Sequence, residues 1–210
     1  MADNEKIKYL TEAEQQELLE KYDPEAGTRK LTGVLGHIAF FGLLAFSLFQ
    51  LYTAIFGVFT AQIQRTIHLG FALSLVFLLF PANRKKRQKG KFQIAWYDII
   101  LAILSIGVGA YWPLFFEDIV MNVGRLGVLD FAVGFMAILL VLEATRRAVG
   151  LPIMVIAILF IFYGIFGQYM PGFLAHRGLT LERMVQTMFF STEGILGTPL
   201  AVSSTFIFLF

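Results

Sequence analysis

Thirty-four consecutive residues, Leu31 to Gln64, contain no Asp, Glu, Lys or Arg. At ~1.5 Å per helical residue such a run would extend about 50 Å, far beyond the ~30 Å hydrocarbon core of a bilayer. A single span cannot hold it, so the chain must cross, turn and cross back. The first span is expected from about Leu31 to Ile55, with a turn near Gly57 to Gln64. The second runs from about Thr66 to Phe80, ended by Pro81, and is short enough that residues before Arg65 can contribute.

Three more spans follow. The third opens at Trp96 and Tyr97 and continues to about Phe116, with Tyr111 and Trp112 near its far end. Aromatics at both ends form the belt expected of a spanning helix. The fourth covers about Leu126 to Leu142 and the fifth about Leu151 to Phe173. Beyond them Leu181, Met184, Val185, Met188 and Phe189 share one helical face, and Glu182, Arg183, Gln186 and Thr187 the other. That pattern predicts an interfacial or bundle-embracing arm helix. The uncharged stretch from Gly194 to Phe210 begins a sixth span. A terminal carboxylate left at bilayer depth would be costly, so the chain is expected to be the N-terminal piece of a longer protein. The expected fold class is all-α, a polytopic transmembrane helix bundle of about five full spans, an arm helix and the start of a sixth span.

Composition agrees: 57% of the residues are hydrophobic and only 15% charged, well below the charge content of an ordinary soluble domain. The absence of cysteine excludes disulfides, thiolate nucleophiles, Cys-ligated zinc and iron-sulfur clusters within these residues. The first 30 residues hold eight of the fifteen acids and cannot be a secretory signal peptide, so the first span serves as its own insertion signal. Within them Thr11 and Glu14 fit a capping box, and Glu17 and Lys21 stand at the i, i+4 spacing, predicting a short helix to about Tyr22.

Basic residues orient the bundle. The loop from Asn83 to Lys91 carries six bases and no acid, and the positive-inside rule keeps such a loop cytoplasmic. Counting spans from it gives a cytoplasmic N-terminus, outer loops near Gly57, Glu117 and His176, and Arg146 inside. The clusters at Arg29-Lys30, Arg84 to Lys91 and Arg146-Arg147 then lie on one side. Glu143 precedes Arg146 and Arg147 by three and four positions, the spacing of a helical ion pair, and these three residues are expected to anchor the cytoplasmic end of the fourth span.

Phosphate loop, zinc-binding His pair, nucleophile elbow and dinucleotide fingerprint are all missing, so neither an enzyme nor a cofactor is expected. Polar residues inside spans remain as candidates. Asp98 and Asp130 each lie near a helix start, where the positive end of the dipole favours a carboxylate. His37 and His68 have no facing carboxylate that sequence reveals and read as packing or interhelical hydrogen-bonding groups, as does Gln50. Gly194-Ile195-Leu196-Gly197-Thr198-Pro199 followed by Ser203-Ser204-Thr205 is different in kind. Gly and Pro weaken a helix there, and broken helices with exposed carbonyls and hydroxyls build ion and substrate sites in transporters. Thr198, Ser203 and Ser204 are the candidate pathway residues, although Ser and Thr hydroxyls also serve simply to satisfy the local backbone.

The strings Leu142-Glu143-Ala144-Thr145-Arg146-Arg147-Ala148-Val149-Gly150-Leu151-Pro152, Tyr169-Met170-Pro171-Gly172, His176-Arg177-Gly178 and Ser191-Thr192-Glu193-Gly194-Ile195-Leu196-Gly197 resemble the fused permeases of TRAP (tripartite ATP-independent periplasmic) transporters, of the TAXI type. The resemblance is specific from about Leu142 to Phe210, and upstream only the layout agrees. It implies a polar cytoplasmic segment over residues 1–30, a four-span small-component-like scaffold over 31–147, and the start of the large permease component over 148–210. It further implies symport of a small organic solute, often a carboxylate, across a bacterial or archaeal inner membrane. A periplasmic solute-binding protein would deliver the solute, a sodium or proton gradient would drive it, and the remainder of the permease chain would carry the moving part. A self-contained membrane scaffold or assembly protein without transport activity is the alternative.

Overall fold

A computed structural model describes residues 28, 29, 31–82, 94–122 and 124–207. The capping box at Thr11, the Glu17–Lys21 pair and the basic loop from Asn83 to Lys91 lie outside the described residues. Among those described, every regular element is helical. In chain order they are α1 (Gly33–Phe56), α2 (Ala61–Leu79), α3 (Trp96–Leu114), a short α4 (Phe116–Met121), α5 (Val128–Ala148), α6 (Leu151–Phe166), α7 (Leu181–Phe189) and α8 (Thr198–Ala201), continued by a π-helical segment, Val202–Phe206. Five of these elements are long and apolar enough to cross a membrane: α1, α2, α3, α5, and α6 with its 3₁₀ extension to Tyr169. The chain is an all-α helical bundle of the multi-pass membrane kind.

Hydropathy located each span, and local chemistry moved the boundaries. The first turn is tighter than expected, since α2 starts at Ala61 and not near Thr66. Gly57, at φ 105°, reverses the chain in a conformation that L side chains rarely adopt. Arg65 therefore sits inside α2, its guanidinium donating to the Leu196 carbonyl, a partner that lets a charge stay within the helix. The α5 helix runs six residues past the expected Leu142, because Glu143, Arg146 and Arg147 pair along its last turns. It ends where Gly150, at φ 130°, turns the chain into α6. The α6 helix stops at Phe166, seven residues before the expected end, and His176 folds back over Gly167 there. A β-carbon on Gly167 would lie 1.9 Å from His176 Nε2, so only glycine admits that ring.

The centre of the bundle is α2, α3 and α5, with α7 packed on α5 and reaching the core through Phe189. Leu69, Leu73 and Phe77 of α2 meet Ala102, Val108 and Trp112 of α3, Ala137, Leu140 and Ala144 of α5, and Phe189 of α7. The α2–α3 pair is the most extensive contact. It is set by Gly70 and Gly109, whose backbones approach so closely that a β-carbon on either would lie 2.7–2.8 Å from the other's Cα. Small residues that let backbones touch are how helices associate when lipid removes the hydrophobic drive between them. The expected arm helix is present as α7, capped by the Thr180 hydroxyl accepting from the Arg183 amide at 3.2 Å. Met184, Val185 and Phe189 are its buried face, and Leu181, placed on that face by periodicity, is exposed in the first turn.

Two helices stand at the periphery. None of the residues of α6 is buried, and α1 buries only Ala39, Gln50 and Thr53. Two of the three residues that seat α1 are thus polar.

Candidate functional site

Opposite ends of α2 carry two buried polar clusters of different character. The first is charged and closes the end of the bundle where α2 finishes, α3 begins and α5 finishes. Asp98, in the first turn of α3, is fully buried and accepts from Arg29 and, at 2.7 Å, from Arg147 Nη1. Arg147 also donates through Nε to Glu143 Oε1 at 2.7 Å and lays its guanidinium over the Phe77 ring, 5.0 Å from the centroid. Arg146 makes a two-pronged contact with Glu143, at 2.6 and 2.7 Å, and reaches the Ala82 carbonyl at 3.3 Å. The backbone closes the same joint, with the Arg29 amide donating to the Leu79 carbonyl at 2.7 Å. One carboxylate therefore ties α3 to α5 and to the segment before α1, and the two arginines it holds also donate to carbonyls at the end of α2.

Glu143, Arg146 and Arg147 pair as their spacing predicts. Sequence missed the hub: Asp98 reads as a carboxylate stabilised by its helix dipole, whereas it is held by two guanidiniums from positions 69 residues before and 49 after it. Asp130 does sit at a helix start, accepting from the Gly127 amide at 2.8 Å, and also takes the Tyr111 hydroxyl across from α3.

The second cluster is neutral and lies at the other end of α2, against the last turns of α1. Gln64 places its amide nitrogen 3.2 Å from Thr53 Oγ1, 3.5 Å from Gln50 Oε1 and 3.1 Å from the main-chain carbonyl of Ser204. Gln50 in turn contacts His68 Nδ1 through its own amide nitrogen, and the His68 ring packs edge-on against Phe46 at 4.9 Å. Gln50, Thr53, Gln64 and Ser204 are each at most 2% exposed. Burying this many polar groups is tolerable because they largely satisfy one another; Gln64 Oε1 is the cluster's buried oxygen left without a partner.

The three pathway candidates do not converge. Thr198 opens α8 and is exposed. The Ser203 hydroxyl donates to its own helix at Leu200, 3.1 Å away, and the Ser204 hydroxyl to Ala201 at 3.5 Å. Those hydroxyls satisfy the local backbone, and it is the Ser204 carbonyl that enters the cluster. That carbonyl lies within residues 202–206, which adopt the wider π-helical turn, a form found mostly as single bulges and often at functional sites. Gln64, Thr53 and Arg65 were not singled out by sequence, although Gln50, Thr53 and Gln64 are conspicuous as amides and a hydroxyl in a charge-free apolar run. His37 only contacts the Gly33 carbonyl of its own helix, at 2.9 Å. Among the described residues no group of three or more His, Asp or Glu side chains is placed to hold a metal ion. Comparison with known protein families, with curated proteins and with solved structures finds no match to this chain.

Proposed function

We propose that this chain is the scaffold and opening portion of the permease of a binding-protein-dependent, ion-gradient-driven transporter of the TRAP type, importing a small organic solute, most naturally a carboxylate. The observation that carries this is the order and seating of the elements. A bundle tied at one end by the Asp98 ion pairs is followed by a peripheral span, an amphipathic arm helix packed on α5, and a π-bulged helix docked through a carbonyl onto α2. That order matches what the sequence resemblance implies for a small component joined to the start of a large one. In this reading the N-terminus is cytoplasmic and the membrane a bacterial or archaeal inner membrane; the six bases from Arg84 to Lys91 support that orientation through the positive-inside rule. The bundle is static in this scheme, and the seam at Ser204 joins it to the part that carries solute. Sodium or protons supply the drive.

Right-side-out membrane vesicles expressing the complete gene, supplied with its periplasmic binding protein, test the proposal. A panel of ¹⁴C-labelled mono- and dicarboxylates is offered under an imposed sodium or proton gradient. Accumulation that needs both the binding protein and the gradient, and survives ATP depletion, is the expected result. If no member of the panel accumulates under either gradient while the protein is inserted and intact, the scaffold or assembly role replaces transport.

A further inference from the structure

Hydrogen-bond polarity in the neutral cluster is fixed by the one member that cannot reverse. The Ser204 carbonyl oxygen only accepts, so Gln64 must present Nε2 to it. The same nitrogen then faces Gln50 Oε1, which leaves Gln50 to offer its own Nε2 to His68 Nδ1. Nδ1 is therefore an acceptor, and the ring is neutral with its proton on Nε2. The Thr53 hydroxyl proton goes to the Gln50 main-chain carbonyl at 3.1 Å, so its oxygen also accepts from Gln64. Donation therefore diverges from Gln64, on one side to the Ser204 main-chain carbonyl and on the other through Gln50 to the His68 ring, 136 residues before it in sequence.

We propose that His68 is a proton-binding site whose occupancy is transmitted through the Gln50 and Gln64 amides to the Ser204 carbonyl, so that protonation releases the π-helical segment from α2. A proton on Nδ1 turns that atom into a donor facing the Gln50 NH₂, two donors in contact. Gln50 must rotate to present Oε1 to the ring, which points its NH₂ at the NH₂ of Gln64. Gln64 can relieve this only by rotating as well. Its Oε1, buried and without a partner in the neutral state, then accepts from Gln50. The rotation withdraws Nε2 from Ser204 and sets oxygen against oxygen, so the contact is lost. No atom is transferred beyond the proton itself.

The charges around His68 leave that rearrangement as the response. The elements packed against α2 are α1, α3, α5, α8 and the π-helical segment. On α1 the ionisable groups are His37, held at the far end by Gly33, and the exposed Tyr52. The α3 carboxylate, Asp98, is committed to two arginines at the opposite end of α2; of its tyrosines, Tyr97 adjoins Asp98 in the first turn and Tyr111 is bonded to Asp130. On α5, Asp130 takes that tyrosine and Glu143 takes Arg146 and Arg147. Thr198 to Phe206 contain no ionisable side chain. Arg65, on α2 itself, is turned to Leu196. The described surroundings place no carboxylate against the ring, so the new donor has only the amide relay to act on. None of this rests on the permease proposal, since it needs only the α1–α2–α8 junction.

Selective ¹⁵N-histidine NMR on the whole chain in lipid nanodiscs reads three rings, His37, His68 and His176, with His68 assigned by the signal missing from His68→Gln. The absence of cysteine allows Val202→Cys to carry a single ¹⁹F-trifluoroethylthio probe on the π-helical segment. At neutral pH His68 should show an unprotonated Nδ1. On acidification the ¹⁹F shift should move with the same midpoint as the His68 ring. The ¹⁹F transition should vanish in His68→Gln, whose side chain cannot take up a proton, and in Gln64→Leu, where His68 still titrates. A proton on Nδ1 at neutral pH overturns the proposal in the unaltered chain, without recourse to any variant. So does a ring that stays neutral until the protein unfolds, or a ¹⁹F transition that persists in either variant.

Discussion

Asp98 is the residue on which most depends. Burial of a carboxylate is tolerable only with partners, and deleting one side of a buried pair leaves an uncompensated charge that costs about 3–5 kcal/mol. Asp98 holds two, Arg29 and Arg147, with side-chain exposures of 5% and 1%. Asp98→Asn should therefore destabilise the bundle by about 3–5 kcal/mol, read as a loss of thermal stability in mild detergent or as failure to accumulate in the membrane. Glu143→Gln should cost only about 1 kcal/mol, because that carboxylate is 28% exposed and water can replace part of what it loses. Equal effects from the two substitutions would mean that Asp98 is not the hub. The Glu143 pairs were legible in sequence because they follow from helix geometry over three and four positions. The Asp98 pairs were not, because no local rule links residues 49 and 69 positions apart.

Among the elements, the α2–α3 crossing is the most sharply specified. A methyl group on Gly109 would strike the Gly70 Cα at 2.7 Å and the Thr66 carbonyl at 3.1 Å, and backbone cannot step aside as a side chain can. Gly109→Ala and Gly70→Ala should each destabilise by about 1–3 kcal/mol through overpacking. Gly107, two residues along the same helix, meets nothing within 4 Å, so Gly107→Ala should be neutral or should stabilise by up to about 1 kcal/mol through helix propensity. Thermal denaturation of the three variants in one lipid mimic checks the contrast. Similar behaviour of Gly107 and Gly109 would mean that the helices do not cross there. Sequence shows glycines in both helices but cannot tell which of them meets a neighbour. Span lengths show the same division: hydropathy placed five spans, while the end of α6 depended on where His176 folds back, which only tertiary packing decides.

For the whole molecule, the alternating direction of the spans sets every connection on one of two faces. Ala82 follows α2 at the charged end, and Glu117 lies in α4 at the other. In intact cells a membrane-impermeant maleimide should label Glu117→Cys and leave Ala82→Cys unlabelled until the membrane is opened; the reverse pattern would invert the proposed orientation. The chain contains no native cysteine to confuse the result. The sequence by itself determined that this is a helical membrane bundle and roughly where the five spans among the described residues lie, because the bilayer imposes a length and a polarity that any window of residues can be tested against. It also determined the local ion pairs and the arm helix, which are periodic. Only the tertiary structure decided that Asp98 binds two arginines, that Gly70 meets Gly109, and that Ser204 contributes a carbonyl to Gln64. Each of those depends on two distant parts of the chain arriving at the same depth and facing one another, and that register is fixed by the packing of the whole bundle.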